Sequence, residues 1–305
     1  MQYIRTLAII LLLTSGLARA ADPVQVFACE PEWAALAEEI GGDAVAVFAA
    51  THARQDPHYI RARPSLIAAM RRADLLICTG GGLEVGWLPV LLQKAGNPSV
   101  AVGAPGHLLA ASRVELRDVP EHVDRSQGDV HPEGNPHLHL NPHNIDRVAV
   151  TLAERLQGID PDRARHYQAR LEDFRRRWDA AIGDWEKRGI QLQGLPVIVH
   201  HQAWVYLIDW LGLREVAALE PRPGIPPTAA HLERLLQRVR GEGAAAILRT
   251  PYAAPEAADW LSARTGLPVL VLPYTVGGTD GVNDLFALFE QTLVQLESVH
   301  VTGKP

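Results

Sequence analysis

The sequence predicts an α/β protein with two similar lobes, each a four-stranded parallel sheet with flanking helices, joined by one long rigid helix. Short apolar or β-branched runs alternate with helical patterns in both halves, which is typical of parallel sheets covered by helices. One apolar stripe of helical period separates the two halves. The chain has 305 residues, 47% hydrophobic and 21% charged, which is enough for two globular domains.

The first half has four predicted strands with helices between them. The strands are expected at 24–28, 44–50, 75–78 and 99–102, and the helices at 31–40, 64–70 and 88–94. Pro31 stands in the first turn of its helix, where its missing N–H costs nothing. No regular period is visible over 108–134, which predicts a long mobile loop.

The segment 135–143 carries prolines at 136 and 142, which disfavour helix in the residue before each. The sequence therefore predicts an extended run in which His137, His139 and Asn141 share one face and the intervening leucines the other. Imidazole suits zinc, copper, iron and nickel, so a metal site is one interpretation. A histidine-rich polar surface loop is the other.

A helix is predicted from Asp160, as a possible cap, with Pro161 at the first helical position, to Gly189. At 1.5 Å per residue it would be roughly 40 Å long, a stiff connection between two lobes. Its apolar stripe is interpreted as core and consists of Tyr167, Leu171, Phe174, Trp178, Ile182 and Trp185.

The second half repeats the alternation, with strands expected at 197–199, 215–218, 244–248 and 269–272 and helices at 204–211, 228–239, 254–264 and 283–296. Thr228 is the predicted cap of its helix. Both lobes are thus expected to be Rossmann-like, with a site in the crevice between them. The predicted divisions are a signal peptide at 1–20, a first lobe at 21–145, a linking helical region at 146–190 and a second lobe at 191–305.

The first 20 residues combine a short basic lead, an apolar run and a small-x-small sequence ending at Ala20, as in a secretory signal peptide. No cysteine follows closely, so we expect a periplasmic protein without a lipid anchor. The 29 basic and 35 acidic residues give a formal charge of −6, and loss of Arg5 and Arg19 with the signal makes it −8. Such a charge disfavours nucleic acid and favours cations as partners.

The two cysteines, Cys29 and Cys78, are too few for a thiolate zinc site and are not spaced as a redox motif. They could form one disulfide if their strands are neighbours. Two separately buried thiols are the alternative, which we favour from the sequence.

Three histidines lie at the ends of predicted strands or loops, on the side that faces the other lobe. His58 follows the second strand, His137 precedes the linking helix, and His201 ends the first strand of the second lobe. Any one of them alone would be interpreted as a structural histidine. Their joint placement predicts a metal site in the crevice.

Four groups of motifs support a family resemblance: Asp56-Pro57-His58-Tyr59 with Arg63-Pro64-Ser65; Gly82-Leu83-Glu84 leading to Trp87; Asn135-Pro136-His137 with Leu140-Asn141-Pro142; and His201-Gln202-Ala203-Trp204 running to Tyr206 and Gly212-Leu213. With them the chain resembles the metal-specific solute-binding proteins of bacterial ABC transporters, the zinc and manganese class. The resemblance covers nearly all of the mature chain. It implies one metal ion between two lobes, with His58 and His137 as ligands from the first lobe and His201 from the second.

The fourth ligand is where the chain departs from the family, which commonly has a carboxylate at the position of about Thr275. The nearest acids are Asp280, in a glycine-flanked loop, and Asp284, at the start of the last helix. We favour Asp280, because Asp284 is well placed to cap its helix. Three histidines and a water are a further alternative.

Other polar residues are given supporting roles. His122, Asp124, Asp129 and His131 in the 108–134 loop are predicted to capture metal as accessory residues, although a merely solvated loop is the alternative. His139, Asn141 and His200 are expected to support the ligands or the surrounding structure, Asn141 by orienting a ligand imidazole.

These ligands favour Zn²⁺, because manganese prefers oxygen donors and the manganese binders of the family typically have an acid where His201 stands. Neutral imidazole is required, so capture should weaken as pH falls through about 6.5. The hypothesis is a monomeric, non-enzymatic, periplasmic high-affinity zinc-binding protein that delivers its ion to an ABC permease, with a periplasmic zinc chaperone as a second candidate partner. The alternatives are an extracytoplasmic zinc-dependent hydrolase, a manganese-binding member of the family, and an adhesin or storage protein that binds several ions through the loop.

Overall fold

The computed structural model describes residues 22–122, 128–129 and 131–302, so the predicted signal peptide and Asp124 lie outside the described residues. Two separate four-stranded parallel sheets form the lobes, with the strand orders β2-β1-β3-β4 and β6-β5-β7-β8. Helices flank both sheets, and the predicted fold class is confirmed. Among the described residues, there is no helix with the length and apolar character of a membrane span.

The first lobe contains strands β1 to β4 and helices α1 to α3. The strands are β1 Val24–Ala28, β2 Val45–Ala49, β3 Leu75–Cys78 and β4 His107–Leu109, and the helices are α1 Pro31–Gly41, α2 Pro64–Arg72 and α3 Leu88–Ala95. Each helix has a proline in its first turn, where no backbone N–H is needed.

The prediction of a fourth strand at 99–102 is wrong. Residues Pro98–Val100 form a 3-10 turn, because the side chain of Asn97 accepts a hydrogen bond from the Ser99 N–H. The fourth strand is β4, which pairs with β3 from Leu76 opposite His107 to Cys78 opposite Leu109. The predicted irregular loop therefore begins with a strand and then a 3-10 turn, Ala110–Arg113.

The extended conformation predicted for 135–143 is also wrong. Leu138–Leu140 form a 3-10 turn in which all three side chains are buried, so the expected alternation of two faces does not occur. The Leu138 carbonyl accepts a hydrogen bond from the side-chain amide of Asn144, which stabilises the turn. Helix α4, Pro142–Ile159, follows at once.

The second lobe contains strands β5 to β8 and helices α6 to α9. The strands are β5 Pro196–Val199, β6 Arg214–Ala218, β7 Ala246–Arg249 and β8 Val269–Val271, and the helices are α6 Val205–Leu211, α7 Ala229–Glu242, α8 Glu256–Thr265 and α9 Leu285–Thr302. The Thr228 side chain accepts a hydrogen bond from the His231 N–H, which confirms Thr228 as the cap of α7.

Helix α5, Ala164–Gly189, is the predicted connection between the lobes. It begins after a short 3-10 turn instead of at Pro161, and Asp160 accepts a hydrogen bond from the Tyr167 hydroxyl at 2.7 Å. All six residues of the predicted stripe are buried. They belong to one continuous hydrophobic core that includes residues of both lobes, which is the packing expected of a rigid connection.

Charged pairs attach the middle and the carboxyl end of α5 to different lobes. Arg177 forms an ion pair with Glu39 on α1 in the first lobe. Arg188 lies 2.8 Å from Glu290 and 2.9 Å from Glu297, both on α9 in the second lobe. The helix is therefore attached to both lobes by its polar face as well as by its apolar stripe.

Cys29 and Cys78 form a disulfide, so the two separate thiols that we favour from the sequence are a wrong prediction. Cys29 comes directly after β1, and Cys78 is the last residue of the neighbouring strand β3. Their Cα atoms are 4.7 Å apart. The Cys29 N–H donates to the Ile77 carbonyl at 2.9 Å, so strand pairing itself brings the thiols together.

Candidate metal centre

His58, His137 and His201 meet in the cleft between the lobes. One nitrogen from each ring lies within 4.8 Å of a nitrogen from both others. The ring centroids are 5.4 to 5.8 Å apart, and the ring planes are inclined to one another by 68° to 82°. Rings that meet edge to edge at one point, without stacking, are arranged as ligands of a shared cation are.

The local sequence explains how two of these histidines are presented. In Asp56-Pro57-His58 and in Asn135-Pro136-His137, the side-chain oxygen of the first residue accepts a hydrogen bond from the histidine N–H at 3.0 Å. Such a turn, with proline at its centre, fixes the backbone at the histidine. The Trp87 indole N–H donates to the Pro57 carbonyl and attaches the first turn to the lobe.

The second turn connects the two lobes. The Asn135 side-chain amide donates to the Gln202 carbonyl at 2.7 Å, one residue after His201. The Tyr206 hydroxyl donates to the Asn135 carbonyl at 2.7 Å. These contacts hold the histidine-bearing loops of opposite lobes in fixed positions relative to each other.

Each of the three rings is oriented through Nδ1. The Asp56 carboxylate lies 2.7 Å from Nδ1 of His58, and the Glu220 carboxylate lies 2.7 Å from Nδ1 of His201. The Tyr274 hydroxyl lies 2.6 Å from Nδ1 of His137. A carboxylate only accepts, so the proton of a neutral ring is on Nδ1 and the lone pair is on Nε2, free for a metal ion.

The pKa values keep the site ready for a cation. Burial, followed by the nearby rings of His201 and His58, lowers the pKa of His137 well below its ordinary value of 6.5, so the ring is neutral at neutral pH. Burial alone would raise the pKa of Asp56, but the hydrogen bonds and charge of His58 outweigh it and lower that pKa. Neutral imidazoles backed by ionised carboxylates are what a divalent ion requires.

The predicted accessory residues lie at different distances from the centre. His131 is beside it, with Nε2 3.2 Å from Nε2 of His58. The Asp129 carboxylate accepts a hydrogen bond from the Tyr59 hydroxyl, and the Asp129 N–H donates to the Pro223 carbonyl at 2.9 Å. His122 is exposed, and Asp124 lies outside the described residues.

The two acids predicted for the fourth position are both exposed. The Asp284 carboxylate accepts a hydrogen bond from the Ala287 N–H at 2.7 Å and so caps the start of α9. Within the described part of the chain, the group of mutually close ligand atoms in the cleft consists of His58, His137 and His201, and none of Asp280, Asp284 and His131 belongs to it.

Two of the predicted supporting residues, His139 and His200, lie near residues that orient the ligands, and the third, Asn141, caps a helix. His139 is buried, with Nε2 2.9 Å from the Tyr274 carbonyl and Nδ1 3.3 Å from Glu32, so it supports the tyrosine that orients His137. His200 lies 4.0 Å from Glu220. The Asn141 side chain accepts a hydrogen bond from the His143 N–H and caps α4, where we expected it to orient a ligand imidazole.

Three residues that orient the ligands were not assigned that role from the sequence: Asp56, Glu220 and Tyr274. Asp56 could have been found, because an acid two residues before a ligand histidine can close a turn onto the ring. Glu220 comes just after β6, which pairs with β5, the strand that leads to His201. Tyr274 follows β8 and has no local signal in the sequence.

Comparisons with known proteins agree with this fold. A family model described as "Zinc-uptake complex component A periplasmic" matches residues 26–299. The ZnuA zinc uptake protein of Paracoccus denitrificans is 26% identical over 264 residues, covering 76% of this chain and 77% of that protein. The zinc-binding lipoprotein AdcA of Streptococcus pneumoniae is 24% identical over 236 residues, covering 77% of this chain and 46% of that protein, so the chain spans about half the length of this relative.

Solved structures show the same two-lobed fold. A crystal structure of ZnuA superposes with a TM-score of 0.72 at 20% identity, covering 92% of this chain and 99% of the other. A manganese-bound periplasmic metal-binding protein from Candidatus Liberibacter asiaticus superposes with a TM-score of 0.72 at 16% identity, covering 91% and 100%. Because the family model matches the chain from residue 26 to residue 299, the protein belongs to the family of periplasmic A components of zinc-uptake complexes.

Proposed function

We propose that this protein captures Zn²⁺ with high affinity between its lobes, through Nε2 of His58, His137 and His201, and delivers it to an ABC permease. The observation that carries the proposal is the convergence of three imidazoles whose Nδ1 atoms all have protein partners. Relatives named as high-affinity zinc uptake proteins support the same metal.

The donor set favours zinc over manganese, even though one structural neighbour is described as manganese-bound. Imidazole nitrogen suits Zn²⁺, whereas Mn²⁺ prefers carboxylate and carbonyl oxygens. Two carboxylates, Asp56 and Glu220, hydrogen-bond to ligand rings and are engaged in orienting them. Their oxygens are therefore less available as direct ligands.

The same engagement argues against a hydrolase. A zinc hydrolase requires an open coordination position and a general base within reach of the bound water. Asp56 and Glu220 both contact ligand rings, and each is held by a ligand Nδ1. We therefore infer a carrier, and expect zinc to bind one-to-one without turnover of ester or phosphate substrates.

The test is a competition titration of the metal-free protein with zinc against a chelating dye. We expect His58→Ala, His137→Ala and His201→Ala each to weaken zinc binding strongly. His166→Ala is the matched control, because this histidine lies on α5 and contacts the Gly41 carbonyl instead of the site. Equal affinities in the wild type and the three ligand variants would overturn the proposal, as would zinc-dependent hydrolysis by the wild type.

We also infer export to the periplasm as the physiological setting, with the permease as the partner that receives the ion. The amino-terminal sequence pattern and the periplasmic description of the family support it. Amino-terminal sequencing of the protein from a periplasmic extract should begin near Ala21, and metal analysis of the same sample should find zinc. Full-length protein retained in the cytoplasm would contradict this setting.

A further inference from the structure

We infer that His131 is the fourth zinc ligand, so that the centre is a site of four imidazoles; this rests on the proposed function. The carboxylate expected from the last part of the chain is then not needed. The inference starts from the distance of 3.2 Å between Nε2 of His131 and Nε2 of His58. In a tetrahedral zinc site with Zn–N bonds of about 2.05 Å, two ligand nitrogens are about 3.3 Å apart.

The facing Nε2 atoms of the two rings leave a position for a cation. Nδ1 of His58 donates to Asp56, which leaves a lone pair on Nε2. Nδ1 of His131 lies beside Gly82, 3.1 Å from the position that a Cβ on that glycine would take. Nε2 of His131 and Nε2 of His58 face each other at 3.2 Å, so one metal ion can reach both nitrogens.

Asp129, two residues before His131, is held by contacts with both lobes. The Asp129 N–H donates to the Pro223 carbonyl at 2.9 Å in the second lobe. The Asp129 carboxylate accepts a hydrogen bond from the Tyr59 hydroxyl, next to His58 in the first lobe. A side chain at Gly224 would lie 2.1 Å from that carboxylate, so the glycine permits the close approach.

The surroundings of His131 resemble those of the other three ligands. His131 is half-buried, as His58 and His201 are. Its ring centroid is 5.2 Å from that of His58 and 6.5 Å from that of His137. The exposed carboxylate of Asp280 has no comparable position in the described structure.

Four imidazoles make a specific prediction about coordination. The wild type has no open position on the metal, whereas His131→Ala leaves one that water or an added ligand can occupy. Cobalt(II) in the zinc site reports this through its visible absorption bands. We expect added azide to change the spectrum of cobalt-loaded His131→Ala and to leave that of the wild type unchanged.

The affinity test compares His131→Ala with two matched variants in the full-length mature protein. We expect zinc affinity to fall at least about tenfold in His131→Ala, and to be unchanged in His122→Ala, an exposed histidine of the same loop, and in Asp280→Ala. Thermal unfolding of the metal-free variants checks that each one folds.

Two outcomes would overturn the assignment of His131. One is His131→Ala with wild-type affinity and an azide-insensitive cobalt spectrum; the other is loss of affinity in Asp280→Ala and not in His131→Ala. Either result would leave the proposed function intact, provided that the wild type binds one zinc ion and His58→Ala does not. A wild type that binds no zinc would instead refute the proposed function.

Discussion

At the scale of single residues, one short motif occurs three times with different results. Asp56-Pro57-His58, Asn135-Pro136-His137 and Asn141-Pro142-His143 all have a side-chain oxygen that accepts from the histidine N–H at 3.0 Å. In the first two the ring faces the cleft. In the third the turn begins a helix, and the His143 ring contacts Glu186 at the surface. The motif presents a histidine, and its surroundings decide what the histidine does.

Glu220 allows a test of how much the orientation of a ligand contributes. It accepts from Nδ1 of His201 at 2.7 Å and from the Gly224 N–H at 2.8 Å, so it fixes both the ring and the adjoining loop. We expect Glu220→Ala to weaken zinc binding about 10- to 100-fold and Glu220→Gln, which retains an acceptor, to lose much less. Dye competition measures both.

Glu233→Ala, an exposed acid on α7, is the control for this series and should bind as the wild type does. Glu220→Ala with unchanged affinity would mean that His201 is oriented by packing alone.

At the scale of elements, the ends of β1 and β3 enclose a pair of buried acids, Glu30 and Glu84. Burial and then the charge of Glu84 raise the pKa of Glu30 well above 4.5. Burial raises the pKa of Glu84 to about 7, although hydrogen bonds from Glu30 and from backbone N–H groups of Thr79 and Gly80 oppose the shift. The pair therefore shares a proton near neutral pH.

This pair predicts a pH dependence of stability in the metal-free protein. The folded protein keeps the proton of Glu84 to a higher pH than the unfolded chain, so the stabilising contribution is complete below about 4.5 and is lost as pH rises through about 7. Glu84→Gln is always neutral. We expect the free energy of unfolding of Glu84→Gln, measured relative to that of the wild type, to increase by on the order of a few kcal/mol between pH 5 and pH 8.

Urea unfolding at a series of pH values measures that difference, with Glu38→Gln, an exposed acid on α1, as the control. Wild-type and Glu84→Gln curves that stay parallel across this range would show that Glu84 has an ordinary pKa in the folded state.

At the scale of the whole molecule, α5 and the core beneath it join the lobes without a flexible hinge. Trp178 and Trp185 of α5 pack against Phe289 of α9, with ring centroids 5.5 and 5.3 Å apart. The same buried cluster continues into the first lobe through residues such as Leu75 and Trp33. Dense packing of this kind resists large relative motion of the lobes.

We therefore expect zinc binding to produce only a small closure, such as local ordering of loops, instead of wide opening and closing of the cleft. Small-angle scattering curves of the metal-free and zinc-bound protein should nearly superimpose. A large decrease in the radius of gyration on binding zinc would contradict a rigid connection.

Much of this organisation was predictable because it depends on local patterns. The alternation of strands and helices, the stripe from Tyr167 to Trp185 and the cap at Thr228 all follow from hydrophobic period and turn chemistry. The convergence of His58, His137 and His201 was predictable for a related reason. Their loops adjoin the cleft between the two lobes, where sites in such folds lie.

The errors occur where a distant partner outweighs the local pattern. The valine-containing run at 99–102 could have been a strand, but β3 pairs with His107–Leu109. The segment at 138–140 forms a 3-10 turn that is stabilised by Asn144. The pairing of Cys29 with Cys78 depends on β1 and β3 being neighbours in the sheet, which their order along the chain does not specify.

The sequence by itself determined two parallel α/β lobes, a connecting helix and three histidines at the cleft, because period and strand-end position are encoded locally. Only the tertiary structure decided which groups hold those rings, since Glu220 and Tyr274 approach them from far along the chain. It also brought His131 within 3.2 Å of His58, 73 positions away in the sequence. Contacts over such separations depend on the packing of whole lobes, and no short stretch of residues specifies them.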